Sequence, residues 1–231
     1  MHYFAQGFSK AWDLLWHLDS ATLSAIWVTL SSTTMALCTA LLLGLPLGFL
    51  LGYCDFPGRR LLRLISDTLL AFPTVLIGLV VYAFITRRGP LGDLGLLFTV
   101  PGMVIGQTIL ALPIVVSWVA QAVESLDARC RQTLLTLGAS QRQLILGTLR
   151  ELRFAVAMVG VTAFGRVVTE VGIATMLGGN IRYATRTMTT AIALETSQGE
   201  FGQGIALGLV LLFIAFLVNL LLVLLKRRGR A

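Results

Sequence analysis

The 231-residue chain is 56% hydrophobic and only 13% charged, with a mean hydropathy of +0.85, far more apolar than a soluble domain of this size. Its net charge of +7 and pI near 10 do not mark a nucleic-acid-binding protein, because the basic residues are scattered between apolar blocks instead of forming one stripe. The composition places the chain in a bilayer, as an all-α membrane protein.

Residues 1–23 read as an amphipathic lead-in at the membrane interface, with Trp12, Trp16 and Trp27 as anchors. This stretch has no basic n-region followed by an apolar core and a small-residue cleavage site, so it is not expected to be a cleaved signal peptide. A helical span needs about 20 apolar residues, and five blocks qualify: 24–53, 62–85, 97–119, 154–177 and 205–225. Pro46, Pro73 and Pro113 fall in the first three. A proline removes a backbone hydrogen bond and kinks the helix, which membrane proteins tolerate where neighbours or water satisfy the freed carbonyl. Such kinks either shape packing or border a cavity or moving wall. The transmembrane body, 24–225, is followed by a basic tail, 226–231.

Five spans put the termini on opposite faces. Lys and Arg decide which is which. Twelve fall on one face, in the groups Arg59, Arg60 and Arg63, Arg129 to Arg153, and Lys226 to Arg230, against five on the other: Lys10, Arg87, Arg88, Arg182 and Arg186. The expected topology is a multi-pass inner-membrane protein with its N-terminus outside and its C-terminus in the cytoplasm. The loop 124–153 then lies in the cytoplasm.

That loop is more structured than a simple connection. In LLTLGASQRQLILGTLRELR, 134–153, Gly138 suits the left-handed end of one helix, and Ser140 three residues before Gln143 forms a capping box that starts another. Arg131, Arg142 and Arg150 interleave with leucines, so one face is apolar and one wet. The segment serves either as an interfacial helix on anionic headgroups or as a protein docking site.

Two places could serve an anion. Arg166 and Glu170 stand four residues apart on one helical face inside the fourth block. Ionisable residues at membrane depth are costly unless paired or facing water, so the two either fix a helix against its neighbour or take part in a gate or path. The stretch GGNIRYATRTMTT, 178–190, offers Asn180, Arg182 and Arg186 with hydroxyls at Thr185, Thr187, Thr189 and Thr190. These are donor types a tetrahedral dianion accepts from, although a solvated loop with a helix cap accounts for them equally. Neither a nucleotide-binding P-loop, a metal-ligand spacing among His2, His17, Cys38, Cys54 and Cys130, nor a serine-nucleophile elbow is present. No enzyme and no metal site is expected.

QTLLTLGASQRQLILGTL resembles the coupling-helix signature of ATP-binding cassette (ABC) importer permeases: Glu-Ala-Ala, three residues, Gly, nine residues, Ile, one residue, Leu-Pro. Leu-Gly-Ala-Ser stands at 137–140, whereas Gln132, Thr133 and Leu134 occupy the Glu-Ala-Ala positions and Arg150 and Glu151 stand around that of the closing proline. The resemblance runs from about residue 29 to the C-terminus. DTLLAFPTVLIGLVVYAF, RRGPLGDLGLLFT and GQTILALPIVV are similar to the second and third core helices of oxyanion permeases. GRVVTEVGIATMLGGNIRYATRTMTTAIALETSQGEF, 165–201, resembles the tungstate-type permeases most closely, a group that also has the loosened coupling motif.

The resemblance implies the type I ABC importer permease fold (MetI-like), with a cytoplasmic coupling helix. Leu137, Gly138, Ala139, Ser140 and Arg142 would contact a separate cytoplasmic ATPase, which uses the ATP; the chain itself carries no cofactor. An extracytoplasmic binding protein would contact the 178–190 region, which would help close the outer gate, and two copies would form the pore. The implied cargo is a tetrahedral oxyanion, foremost tungstate, with molybdate or sulfate as alternatives. The alternative from another class is an ATP-independent secondary transporter, but no repeat relates the two halves and five spans do not divide evenly.

Overall fold

The computed structural model describes residues 9–10, 12, 19–126, 136 and 138–228, without the side chains of Gln141 and 221–228. Most of the lead-in with Trp16, Leu137, the segment before it and the last three residues lie outside that set. Among the described residues there are eight α-helices and no strand. Three helices are long and apolar enough to cross a membrane, or up to five spans if each of two bent pairs counts as one.

Helix α1, Ser20–Tyr53, starts four residues before the expected block. Asp19 caps it, accepting a hydrogen bond from the Thr22 amide at 2.8 Å. Thr22 also donates its hydroxyl to the same carboxylate at 2.7 Å. These bonds, the Thr22 hydroxyl foremost, hold the Asp19 carboxyl below its ordinary range.

Small residues recur every fourth position along α1: Ala36, Ala40, Gly44, Gly48 and Gly52. This stripe lies against a later helix, Val100–Glu124. A Cβ on Gly48 would stand 2.7 Å from the Val116 carbonyl oxygen, and one on Gly52 2.7 Å from that of Ala120. Lipid tails are as apolar as leucine, so close backbone approach through small residues is what attracts one membrane helix to another. Pro46 sits inside α1 and Pro113 inside its partner, and neither breaks its helix.

The second block differs from expectation. It forms two helices, α2, Arg59–Leu69, and α3, Thr74–Ile85, bent by 101° at the break. Pro73 has no amide hydrogen and drives the preceding residue away from helical geometry. The last turn of α2 tightens accordingly, with the Ala71 amide donating to Thr68 and the Phe72 amide to Leu69. Helix α4, Val100–Glu124, is capped by Thr99 and carries Pro101 in its first turn, where no amide is needed.

The fourth block also breaks. Helix α5 begins at Gln141, so the second half of the loop 124–153 and the fourth span form one continuous helix, Gln141–Val168. The chain then bends by 61° into α6, Gly172–Gly178. A short helix α7, Met188–Ser197, and the long α8, Phe201–Arg228, complete the bundle. A capping box of Thr187 and Thr190 starts α7, and the Met188 amide donates to the Thr29 hydroxyl of α1 at 2.9 Å.

At one end an ionic network ties α1, α2 and α4 together. Arg59 donates to the Leu51 carbonyl at the C-terminus of α1 at 2.7 Å, to Glu124 at 3.0 Å and to Asp55. Arg63 donates to the Ser117 carbonyl at 2.7 Å and lies 3.7 Å from Glu124, while the Ser117 hydroxyl donates to Asp67. Arg59 and Arg63, counted above only as orientation charges, also cap a helix end and staple three helices.

Candidate functional site

The break between α5 and α6 is built around Glu170. Its side chain is 3% exposed, whereas that of Arg166, 3.4 Å away, is 44% exposed. One carboxylate oxygen accepts the Ile173 amide at 3.1 Å and so caps α6, while the other faces Arg166. The Glu170 carbonyl, left without a helical partner, accepts the Thr189 hydroxyl at 2.8 Å. Thr189 therefore ties the start of α7 to the break.

The two breaks meet. A Cβ on Gly172 would lie 3.3 Å from the Glu170 carboxylate, 3.2 Å from Val75 and 3.5 Å from the Thr74 hydroxyl. The start of α3 thus rests against the start of α6. Helix α3 has 12 residues, about 18 Å of rise against a hydrocarbon core of about 30 Å, too short to cross by itself, so where α2–α3 counts as one bent span the junction falls inside it. Leu70, Ala71, Pro73, Arg166, Thr169 and Val171 are all exposed there. Irregular backbone at that depth does not face lipid; it faces protein or a water-filled path. The exposed guanidinium of Arg166 belongs to that same face.

The 178–190 stretch is tied mostly to itself. Asn180 adopts a left-handed conformation, φ 52°, and its side-chain carbonyl accepts from the half-buried Arg186 at 3.0 Å. Arg182 is exposed and lies over the Tyr183 ring at 5.1 Å. Thr185, Thr187, Thr189 and Thr190 are buried, and their hydroxyls bond to the protein: Thr185 to the Gly178 carbonyl, Thr187 to Thr189 at 2.9 Å, and Thr190 to the Thr187 carbonyl at 3.1 Å. These hydroxyls, read from the sequence either as donors to an anion or as part of a helix cap, fix the turn and cap α7.

At the opposite end of α5 stands the expected turn. Gly138 has φ 77° and open space around it. Ser140 caps α5, its hydroxyl accepting from the Gln143 amide at 3.4 Å and its amide donating to the Gln143 side chain at 2.8 Å. Ala139 is half-buried and Arg142 exposed. Leu144 and Leu152 are buried, while Ile145, Leu146 and Leu149 are exposed, an apolar face next to the turn. From Ser140 to Arg166 is about 39 Å of helix.

Of the sequence candidates, the structure brings Arg166, Glu170 and Thr189 together, and Asn180 with Arg186. Arg182 is exposed over Tyr183, apart from both groups, and Gly138, Ala139, Ser140 and Arg142 lie far away at the other end of α5. Sequence reasoning missed the Gly44–Gly48–Gly52 stripe, whose four-residue period was its signal. It also missed Thr74 and Gly172, which no spacing marks.

A helical bundle with broken spans around an ionisable pair, and an amphipathic turn on a rigid helix leading to that pair, defines a polytopic transport protein. Comparison with known proteins specifies it. Residues 44–231 match the family model described as binding-protein-dependent transport system inner membrane component, and the chain belongs to that family. It is 48% identical to the tungstate uptake system permease protein TupB of Campylobacter jejuni, over 98% of this chain and 95% of the relative. It is 36% identical to TupB of Peptoclostridium acidaminophilum, over 95% and 96%. In fold it is similar to a chain of the MetNI methionine ABC transporter in an inward-facing conformation, with a TM-score of 0.75 over 91% of this chain and 97% of that one at 18% identity. The protein is an ABC importer permease subunit of the inner membrane and not an enzyme.

Proposed function

We propose that the chain is the membrane component of a tungstate importer, working as a homodimer with two cytoplasmic ATPase subunits and an extracytoplasmic binding protein. The substrate reading is supported by the 48% identity to a tungstate uptake permease across nearly the whole of both chains. The mechanism is supported by one observation above all: an unbroken helix, Gln141–Val168, runs from the capped turn to the charged break.

The ATPase grips the turn around Gly138, Ala139, Ser140 and Arg142, with Leu137, and uses the exposed Ile145, Leu146 and Leu149 as its apolar contact. ATP is bound and hydrolysed there, and this chain carries no cofactor of its own. Closure of the two ATPases moves the turn, and α5 carries that motion as a lever to the junction of the two breaks. The face bearing the junction lines the path and meets the second copy, so Arg166 presents a positive charge to a passing dianion while Glu170 holds the helix ends together. Weak attraction suits a path, since the ion must leave. The N-terminus lies outside, in keeping with twelve Lys and Arg residues on the Gly138 side against five on the other. The Asn180–Arg186 turn, with Arg182, faces the binding protein.

The test is reconstitution of the permease with the ATPase and binding protein encoded beside it, measuring ATP hydrolysis under titration with tungstate, molybdate and sulfate. Stimulation by tungstate at the lowest concentration is expected. Half-maximal stimulation by molybdate or sulfate at lower concentration would overturn the substrate reading, and failure to retain any ATPase would overturn the coupling reading.

A further inference from the structure

On the side of α5 away from the junction lies an apolar groove of about 380 Å³ between α1, α5 and α8. Leu37 and Leu41 of α1, Ala157, Gly160 and Phe164 of α5, and Val218 of α8 line it, and Thr34 contributes its one polar side chain. Gly160 opens onto the groove: a Cβ there would meet nothing nearer than Leu41 at 4.0 Å. Arg166 follows Ala157 by nine residues, about 180° round the helix. The groove therefore faces away from the surface assigned to the second copy.

Its floor is basic. Arg153 lies one turn before Ala157 on the same strip of α5, and Arg150 one turn before that. Both are exposed, and neither joins an ion pair among the described residues. The Arg153 guanidinium lies over the Phe154 ring at 4.6 Å, at the start of the apolar block read from the sequence as the fourth span. Helix α8 ends on the same side with Lys226, Arg227 and Arg228, about 12 Å of rise beyond Val218. An apolar groove with two exposed arginines beyond its end, neither in an ion pair among the described residues, has the chemistry of a phospholipid site.

We propose that this groove holds an acyl chain of an anionic phospholipid from the leaflet on the Gly138 side, with its headgroup phosphate at Arg153 and Arg150. The lipid fills the space that Gly160 leaves and braces α5, the lever, against α1 and α8. The binding requires neither the tungstate assignment nor transport.

The experiment places the full-length protein in vesicles of phosphatidylcholine and reads motion-restricted lipid with spin-labelled phosphatidylglycerol and spin-labelled phosphatidylcholine. The wild-type protein is expected to select phosphatidylglycerol, by about fivefold for each basic residue engaged. Arg153→Gln is expected to remove about fivefold of that selectivity while leaving the number of restricted lipids unchanged. Gly160→Leu, which fills the groove, lowers that number, and the gentler Ala157→Leu does the same if Gly160→Leu does not elute as a single species. Selectivity that survives the Arg150→Gln, Arg153→Gln double variant overturns the headgroup site. Restricted lipid unchanged by a groove-filling variant overturns the acyl site, as does a cross-link from a cysteine at position 157 to a second copy.

Discussion

Along the α1–α4 seam the backbone is unbroken through two prolines, and Gly48 and Gly52 on one side bring a helix against the carbonyls of the other, with Gly44 against Val115. Where α2–α3 meets α5–α6 the backbone is broken twice, and the exposed residues include a guanidinium. Where the glycines meet the partner helix the seam leaves no room for a side chain, so it has one arrangement. At the junction, freed backbone groups are held by single hydrogen bonds from Glu170 and Thr189, contacts that can be exchanged for others as helices tilt. A transporter needs both: a fixed frame, and a face whose geometry can change.

The two breaks differ from each other as well. Pro73 makes its break by subtraction, removing a donor, and the start of α3 has no side-chain cap. Glu170 makes its break by substitution, offering the α6 amide a carboxylate in place of a backbone carbonyl.

The sharpest test of the frame is Gly48→Leu. Its Cβ would fall 2.7 Å from a backbone oxygen, so a loss of about 3 kcal/mol or more is expected, read as failure to elute as a single species and a fall in Tm. At the junction, Glu170→Ala removes the α6 cap and leaves Arg166 without its carboxylate; about 2 kcal/mol is expected, with tungstate uptake lost. Glu170→Gln, which still accepts from Ile173, should lose roughly half as much stability. Wild-type Tm in Glu170→Ala would remove the carboxylate from the account of the break.

Smaller effects separate motion from stability. Pro73→Ala restores a helix-compatible residue and is expected to change stability by less than about 1 kcal/mol while lowering uptake, because α2 and α3 can then join. Unchanged uptake would mean that only the α5–α6 break serves transport. Gly138→Ala meets no atom but requires φ 77°, about 1 kcal/mol of backbone strain. Tungstate-stimulated ATP hydrolysis should fall with little change in Tm.

The smallest effect lies at the α1 cap. Asp19 is held below its ordinary acidity by the Thr22 hydroxyl, so its folded value lies below its unfolded one. Its contribution is fully present above the unfolded value and is lost as pH falls through the folded one. Asp19→Ala should cost about 1 kcal/mol at pH 7. The gap from the wild type should shrink below about pH 4, measured as Tm at both pH values.

The amino-acid order alone determined that the chain is helical and membrane-embedded, because a bilayer needs long apolar runs whatever surrounds them. It also determined the turn at Gly138 and the Ser140–Gln143 box, since capping acts between residues three apart. The breaks were hidden because a count of apolar residues does not see where a helix stops: LLAFP is as apolar as the spans around it, and one Glu and one Thr in VVTEVG do not end an apolar block. Pro73 was legible as a kink, but Pro46 and Pro113 carry the same local signal and sit inside unbroken helices. Only the packed bundle decided that Thr189 reaches the Glu170 carbonyl, and that α3 and α6 begin side by side. Those contacts join residues far apart in the chain, and their geometry is set by how the helices pack.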